Sequence, residues 1–168
     1  MTEGRVWKFG TDVDTDMIIP GRFLADWNKE PEKMGQYCFC GIDPQFNTRV
    51  QTGDIIVAGD NFGCGSSRQA APVAIKSAGI RYVIASSFAR IFYRNAINIG
   101  LTVLECPALA EEVNEGERLV VELDKGEITN LDSNKVYRFE PLNEMVQEIL
   151  SSGGLVPYVQ KRLKVQDK

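Results

Sequence analysis

The sequence predicts a single α/β domain, with parallel βαβ units in its middle and a C-terminal portion of hairpins and helices. Three observations carry that prediction. Between residues 54 and 104, strand-like and helix-like runs alternate with short connections, which implies right-handed crossovers and a parallel sheet. After residue 118 the runs shorten and hairpin-turn residues separate them. A chain of 168 residues with 43% apolar and 25% charged side chains suits one globular core.

Taken in order, Arg5–Phe9 reads as a first strand ended by Gly10. Asp12-Val13-Asp14-Thr15-Asp16 follows, then an apolar turn, Met17–Gly21. Residues 22–51 show little periodicity and are interrupted by Pro31, Gly35, Gly41 and Pro44, although Glu30–Tyr37 allows a short helix. Such a stretch inside a compact domain is either a functional loop or lid, or a surface insertion. Asp54–Ala58 is a buried-type strand, followed by a glycine-rich turn, Gly59–Gly65. Pro72–Ala78 predicts a helix, with Pro72 tolerated in the first turn and Gly79 as its stop. Arg81–Ala85 is the next strand, Phe88–Ala96 a helix capped by Ser87 and closed near Gly100, and Leu101–Leu104 a further strand. Arg118–Leu123, Glu127–Asn130 and Lys135–Phe139 are short strands with turn chemistry at Asp124-Lys125-Gly126 and Asp132-Ser133-Asn134. Pro141 opens a helix reaching about Leu150, Gly153-Gly154 breaks it, and Leu155–Leu163 forms the last one.

Composition removes whole classes of chemistry. There is no histidine, so Ser-His-Asp and Cys-His catalysis, His-ligated zinc and a histidine base are impossible within this chain. Of the four cysteines, Cys38 and Cys40 are separated by one residue rather than the two of zinc ribbons and many iron–sulfur sites, and no metal site is expected here. The first ten residues lack an apolar signal core, so reduced thiols and a cytoplasmic location are expected. No run approaches a membrane span, and a net charge of −4 argues against nucleic acid or an anionic membrane as partner.

The chemistry concentrates in Asn61-Phe62-Gly63-Cys64-Gly65-Ser66-Ser67-Arg68-Gln69, between a strand and a helix. Glycines let backbone approach a ligand, amides at a helix start favour an anion, and Arg68 presents a fork suited to a carboxylate or phosphate. The alternative is an ordinary helix start, because Ser66 and Gln69 have capping-box spacing. The run is neither a P-loop, lacking Gly-Lys-Ser/Thr, nor a dinucleotide fingerprint, since Arg68 stands where a third glycine belongs. Asp12, Asp14 and Asp16 alternate but lack the glycine-spaced loop of a calcium site. Arg90 and Arg94 share one helix face and suit either a partner contact, the site lining or a solvated surface.

The run Gly59–Leu104, including Ser87-Phe88-Ala89-Arg90-Ile91-Phe92-Tyr93-Arg94-Asn95-Ala96, closely resembles the small subunits of 3-isopropylmalate dehydratase, the swivelling domain of the aconitase superfamily. Asp12–Pro20 and Gly153-Gly154-Leu155 resemble the same family's two ends. The resemblance implies one swivelling β/β/α domain over residues 1–168, with 22–51 as a mobile substrate-specificity loop. It implies a hydro-lyase that loses and re-adds water across C2–C3 of a hydroxy-dicarboxylic acid, in leucine biosynthesis. A large partner subunit would hold a [4Fe–4S] cluster and the histidines, in a heterodimer or heterotetramer, while this chain binds no cofactor.

On the same resemblance Ser66 is the base, acting as an alkoxide, with Gly65, Ser67 and Arg68 holding the substrate carboxylate. Asp16 would orient a partner histidine. Phe23, Leu24 and Ala25 face the substrate's side group, where an arginine at the third position would suit a third carboxylate. Ala25 cannot pair one and Asp26 would repel it, so isopropylmalate is expected first, a methylated malate, citramalate or citraconate second, and a homoaconitase-type acid only if Arg22 intervenes. A non-catalytic anion-binding module is the competing class. The chain departs from the family in carrying Gln69-Ala70 where Glu-His is usual.

Overall fold

The computed structural model describes residues 2–27 and 29–166; Met1, Asn28, Asp167 and Lys168, which the expected domain includes, lie outside the described residues. The chain runs β1 (Thr2–Lys8), α1 (Thr15–Ile18), a 3-10 turn at Gly21–Phe23 leading into α2 (Leu24–Trp27), a second 3-10 segment at Pro31–Tyr37, and α3 (Phe46–Arg49). It continues through β2 (Ile55–Ala58), α4 (Ala70–Ser77), β3 (Tyr82–Ala85), α5 (Arg90–Asn98), β4 (Thr102–Glu105) and α6 (Pro107–Glu112). The last third holds β5 (Arg118–Glu122), β6 (Glu127–Asn130), β7 (Lys135–Arg138), α7 (Glu144–Ser151) and α8 (Leu155–Gln166).

One sheet in the order β4-β3-β2-β1-β5-β6-β7 joins every strand. Strands β1 to β4 are parallel neighbours, with Val6 opposite Ile55, Ile55 opposite Tyr82 and Tyr82 opposite Thr102. From β1 across to β7 every neighbouring pair is antiparallel, with Glu3 opposite Val120, Val121 opposite Ile128 and Ile128 opposite Tyr137. All four residues of β2 are buried, because both faces of the parallel half are covered. Ile56 and Ala58 join Trp7, Val83 and Val103 beneath α4 and α5. Ile55 and Val57 join Val6, Ile84 and Leu104 on the opposite face. There Leu109 of α6 and Val113 just after it meet Leu119, Val121, Ile128 and Tyr137, so the antiparallel half curls over as a half-barrel.

Several local expectations change. Helix α4 starts at Ala70, with Gln69 as its cap residue and no side-chain cap bond, so Ser66 is not a helix cap. Pro72 still lies in the first turn, where its missing N–H costs nothing. Ser87 does not cap α5 either: Ala89 precedes the helix, and the Ser87 hydroxyl accepts from Asn61 N–H (2.9 Å) and donates to Asp60 (3.2 Å). Helix α7 is opened not by Pro141 but by Asn143, whose side chain accepts from Val146 N–H at 2.9 Å. Helix α6 has no counterpart in the sequence reading.

Within the stretch 22–51, the short helix allowed at Glu30–Tyr37 is present as the 3-10 segment Pro31–Tyr37, with α2 before it and α3 after it. Met34, Cys38, Phe39 and Phe46 are fully buried. Phe9 stacks on Phe39 at 4.3 Å, and Trp7 meets Phe46 edge-on at 4.7 Å. Large buried side chains explain how a segment without periodicity still packs: each one removed from water contributes about 1.5–3 kcal/mol.

Candidate functional site

Because β1 and β2 are parallel neighbours, the loops leaving their C-terminal ends emerge at the same edge, where open α/β sheets place their ligands. The two loops are sewn together. Gly63 N–H donates to Val13 O at 2.7 Å, Thr15 N–H to Cys64 O at 2.9 Å, and the Thr15 hydroxyl to Ser66 O at 3.2 Å. Asp12 and Asn61, both with positive φ (53° and 58°), are joined side chain to side chain at 2.8 Å. Gly63 (φ +80°) lies so close to the Phe92 ring that an added Cβ would overlap it, and Gly65 turns at φ +88°.

This bent loop presents Ser66 and Ser67 at the surface and Arg68 half-buried behind them. The Arg68 guanidinium donates through Nη1 to Asp16 Oδ1. Gly21 sits against the same pair, since a Cβ there would stand 3.6 Å from Asp16 Oδ1 and 3.8 Å from Arg68 Nη1. The start of the 21–27 segment therefore borders the guanidinium. Phe23 stacks on Tyr37 (4.1 Å, 7°), the Arg22 guanidinium lies over the Phe23 ring, 4.8 Å from its centroid, and Tyr37 donates to Asp26 Oδ2 at 3.2 Å. Leu24 is half-buried and Ala25 exposed.

Gly65, Ser66, Ser67, Arg68 and Asp16 are thus brought together, with residues 21–25 alongside. Asp16, expected to orient a histidine of another chain, is ion-paired with Arg68 of its own, while 59% of its side chain remains exposed. The three alternating aspartates have three separate tasks: Asp12 binds Asn61, Asp14 accepts from Met17 N–H (2.7 Å) to cap α1, and Asp16 holds Arg68. Sequence reasoning missed Thr15 and Tyr37, whose partners lie far along the chain with no shared spacing to flag them.

The cysteines do not fit a metal or cluster ligand set. Among the described residues, no three His, Cys, Asp or Glu side chains gather as a metal site. Burial pushes the Cys38 thiol well above its ordinary pKa, and burial with the nearby Asp12 and Asp14 carboxylates pushes Cys64 up as well. Both effects oppose thiolate formation. Arg90 and Arg94 line a separate cleft of about 860 Å³ between α5 and residues 140–146, with Tyr93, Glu105, Glu140 and Asn143.

The chain resembles known proteins over nearly its whole length. Residues 24–109 match the family described as the aconitase C-terminal domain. The chain is 54% identical over 161 residues to the isopropylmalate/citramalate isomerase small subunit of Methanocaldococcus jannaschii, covering 96% of this chain and 95% of that one. It is 48% identical to the 3-isopropylmalate dehydratase small subunit of Thermodesulfovibrio yellowstonii, covering 98% and 97%. The crystal structure of 3-isopropylmalate dehydratase (leuD) from Methanocaldococcus jannaschii superposes with a TM-score of 0.92 at 48% identity, covering 98% and 96% of the two chains.

Proposed function

The chain belongs to the aconitase C-terminal domain family, among the small subunits of 3-isopropylmalate dehydratase, and from that premise we propose how its residues serve the reaction. With a large subunit it completes a site that converts 2-isopropylmalate to 3-isopropylmalate. The observation that carries this reading is the exposed Ser66 hydroxyl on a glycine-bent loop, two residues from an arginine that the neighbouring loop holds in place.

Ser66 Oγ, deprotonated, takes the proton from the carbon bonded to the substrate carboxylate. The electron pair left behind forms the C=C bond as hydroxide departs from the adjacent carbon. Addition of water in the opposite orientation, with the proton returned by Ser66, gives the isomer. Serine is a weak acid, so its anion requires a stabilising charge and exclusion of water. Arg68 supplies the charge, and its remaining N–H groups hold the substrate carboxylate. The [4Fe–4S] cluster that the family resemblance implies on the large subunit would supply the Lewis acid for the departing hydroxide.

Ala25 and Phe23 leave the side-group end of the site short and apolar, which favours an isopropyl or methyl substituent. The 54% identity to an isopropylmalate/citramalate isomerase small subunit supports citramalate as a second substrate. The test is reconstitution with the large subunit under anaerobic conditions, assayed on isopropylmalate, citramalate, dimethylmalate and homocitrate. Ser66→Ala should lower kcat by roughly 10²–10⁴-fold, the usual worth of a positioned base, without loss of assembly. An unchanged kcat overturns the assignment.

A further inference from the structure

We infer that Thr15 is a positioning residue for the Ser66 hydroxyl, an inference that rests on Ser66 being the base. Thr15 is one of few polar residues in the interior, only 2% exposed, and lies in the first turn of α1 directly after the cap Asp14. A buried hydroxyl is retained where it has a partner. Here the partner is the carbonyl oxygen of Ser66, 3.2 Å away and 51 positions along the chain.

The other ties between the two loops stop short of the base. Gly63 N–H to Val13 O and Thr15 N–H to Cys64 O fix residues 63 and 64. Gly65 follows at φ +88°, a conformation glycine enters and leaves with little steric penalty. Beyond it, Arg68 is held separately by Asp16. Between these two anchors the Thr15 hydroxyl bond sets the plane of the peptide following Ser66, and so the direction in which its Cβ and Oγ project. Without that bond the loop rotates about residues 65 and 66, and Oγ loses the direction in which the proposed Arg68 charge stabilises its anion, while the carboxylate grip of Arg68 persists.

This division of labour predicts a kcat effect with KM spared. In the reconstituted holoenzyme acting on 3-isopropylmalate, Thr15→Val keeps the shape and removes the donor. It should lower kcat roughly 10- to 100-fold, the scale of a small misplacement of a reacting group, with KM within about twofold. A base displaced from its stabilising cation has a raised pKa, so the rising limb of the kcat profile should move to higher pH. Thr15→Ser restores the donor and should return kcat to within a few-fold of the unmodified enzyme. The proposal is overturned if Thr15→Val keeps full kcat, if only KM changes, or if Thr15→Ser is as impaired as Thr15→Val. Should Thr15→Val fail to assemble, Thr15→Ser against Thr15→Ala decides by the same comparison: equal activity overturns, retention by serine alone supports. Ser66→Ala is run beside them. Full activity there would show that the base assignment has failed, whereas a dead Ser66→Ala with a fully active Thr15→Val would show that positioning alone has.

Discussion

The alanine at position 25 is exposed, and beside the proposed substrate site its shortness is chemically informative. No cation from this position can reach a substrate's third carboxylate, and Arg22 nearby is engaged over the Phe23 ring. Ala25→Arg should therefore raise kcat/KM for homocitrate relative to isopropylmalate by about tenfold, the scale of one partly exposed charge-assisted hydrogen bond. An unchanged ratio would remove residue 25 from the specificity account. Cys64 illustrates the opposite lesson. Its place in the glycine-rich loop suggests an activated thiol, yet burial and the nearby Asp12 and Asp14 push its pKa up, which opposes thiolate formation.

Among the elements, the loop after β2 depends on how closely Gly63 approaches α5. Gly63→Ala adds a Cβ into the Phe92 ring at a positive φ, combining overpacking with backbone strain. It should destabilise the fold by about 2–4 kcal/mol in urea unfolding, whereas a substitution at the exposed Gly116 turn should cost less. At the start of β5, Glu117 accepts from the N–H (3.1 Å) and side chain (3.0 Å) of Asn114 and from the buried Asn130 (2.7 Å). These bonds, those of Asn114 foremost, lower its pKa from the ordinary 4.5. A depressed carboxylate pKa stabilises the fold fully above the unfolded value and loses that contribution as pH falls through the folded one. Glu117→Gln should thus narrow the difference in stability between pH 6 and pH 3, measured by chemical denaturation at both; an unaltered difference would show that these bonds carry no linkage.

For the molecule as a whole, the segment between β1 and β2 decides how rigid the unpartnered subunit is. Met34, Cys38, Phe39 and Phe46 lie fully buried in the same cluster as α4 and the sheet, whereas residues 29–33 are exposed. We propose that mobility is confined to that exposed turn. Hydrogen exchange on the isolated subunit should show residues 34–39 and 46–50 protected to the level of α4, and rapid exchange at 29–33. Uniformly fast exchange from 34 to 50 would restore the picture of one mobile loop.

Much of this architecture was legible in the residues. The βαβ alternation, the strand-rich last third and the Gly63–Arg68 loop follow from local pattern, because buried strands, glycine turns and helix stops are written within ten positions of one another. The absence of histidine excludes a histidine base or ligand within this chain. Local rules also allow a cap at Ser87 and a helix start at Pro141, and the fold selects Ala89 and Asn143 instead because Ser87 is engaged by Asn61 and Asp60 while the Asn143 side chain reaches Val146 N–H.

What local pattern could not convey is which distant side chains meet. Thr15 reaches Ser66, Asp16 pairs with Arg68 and Asn61 with Asp12 across separations of about fifty residues. Those pairs exist because β1 and β2 align in parallel register and deliver their two loops to one edge, a long-range event that leaves no periodic trace in either loop.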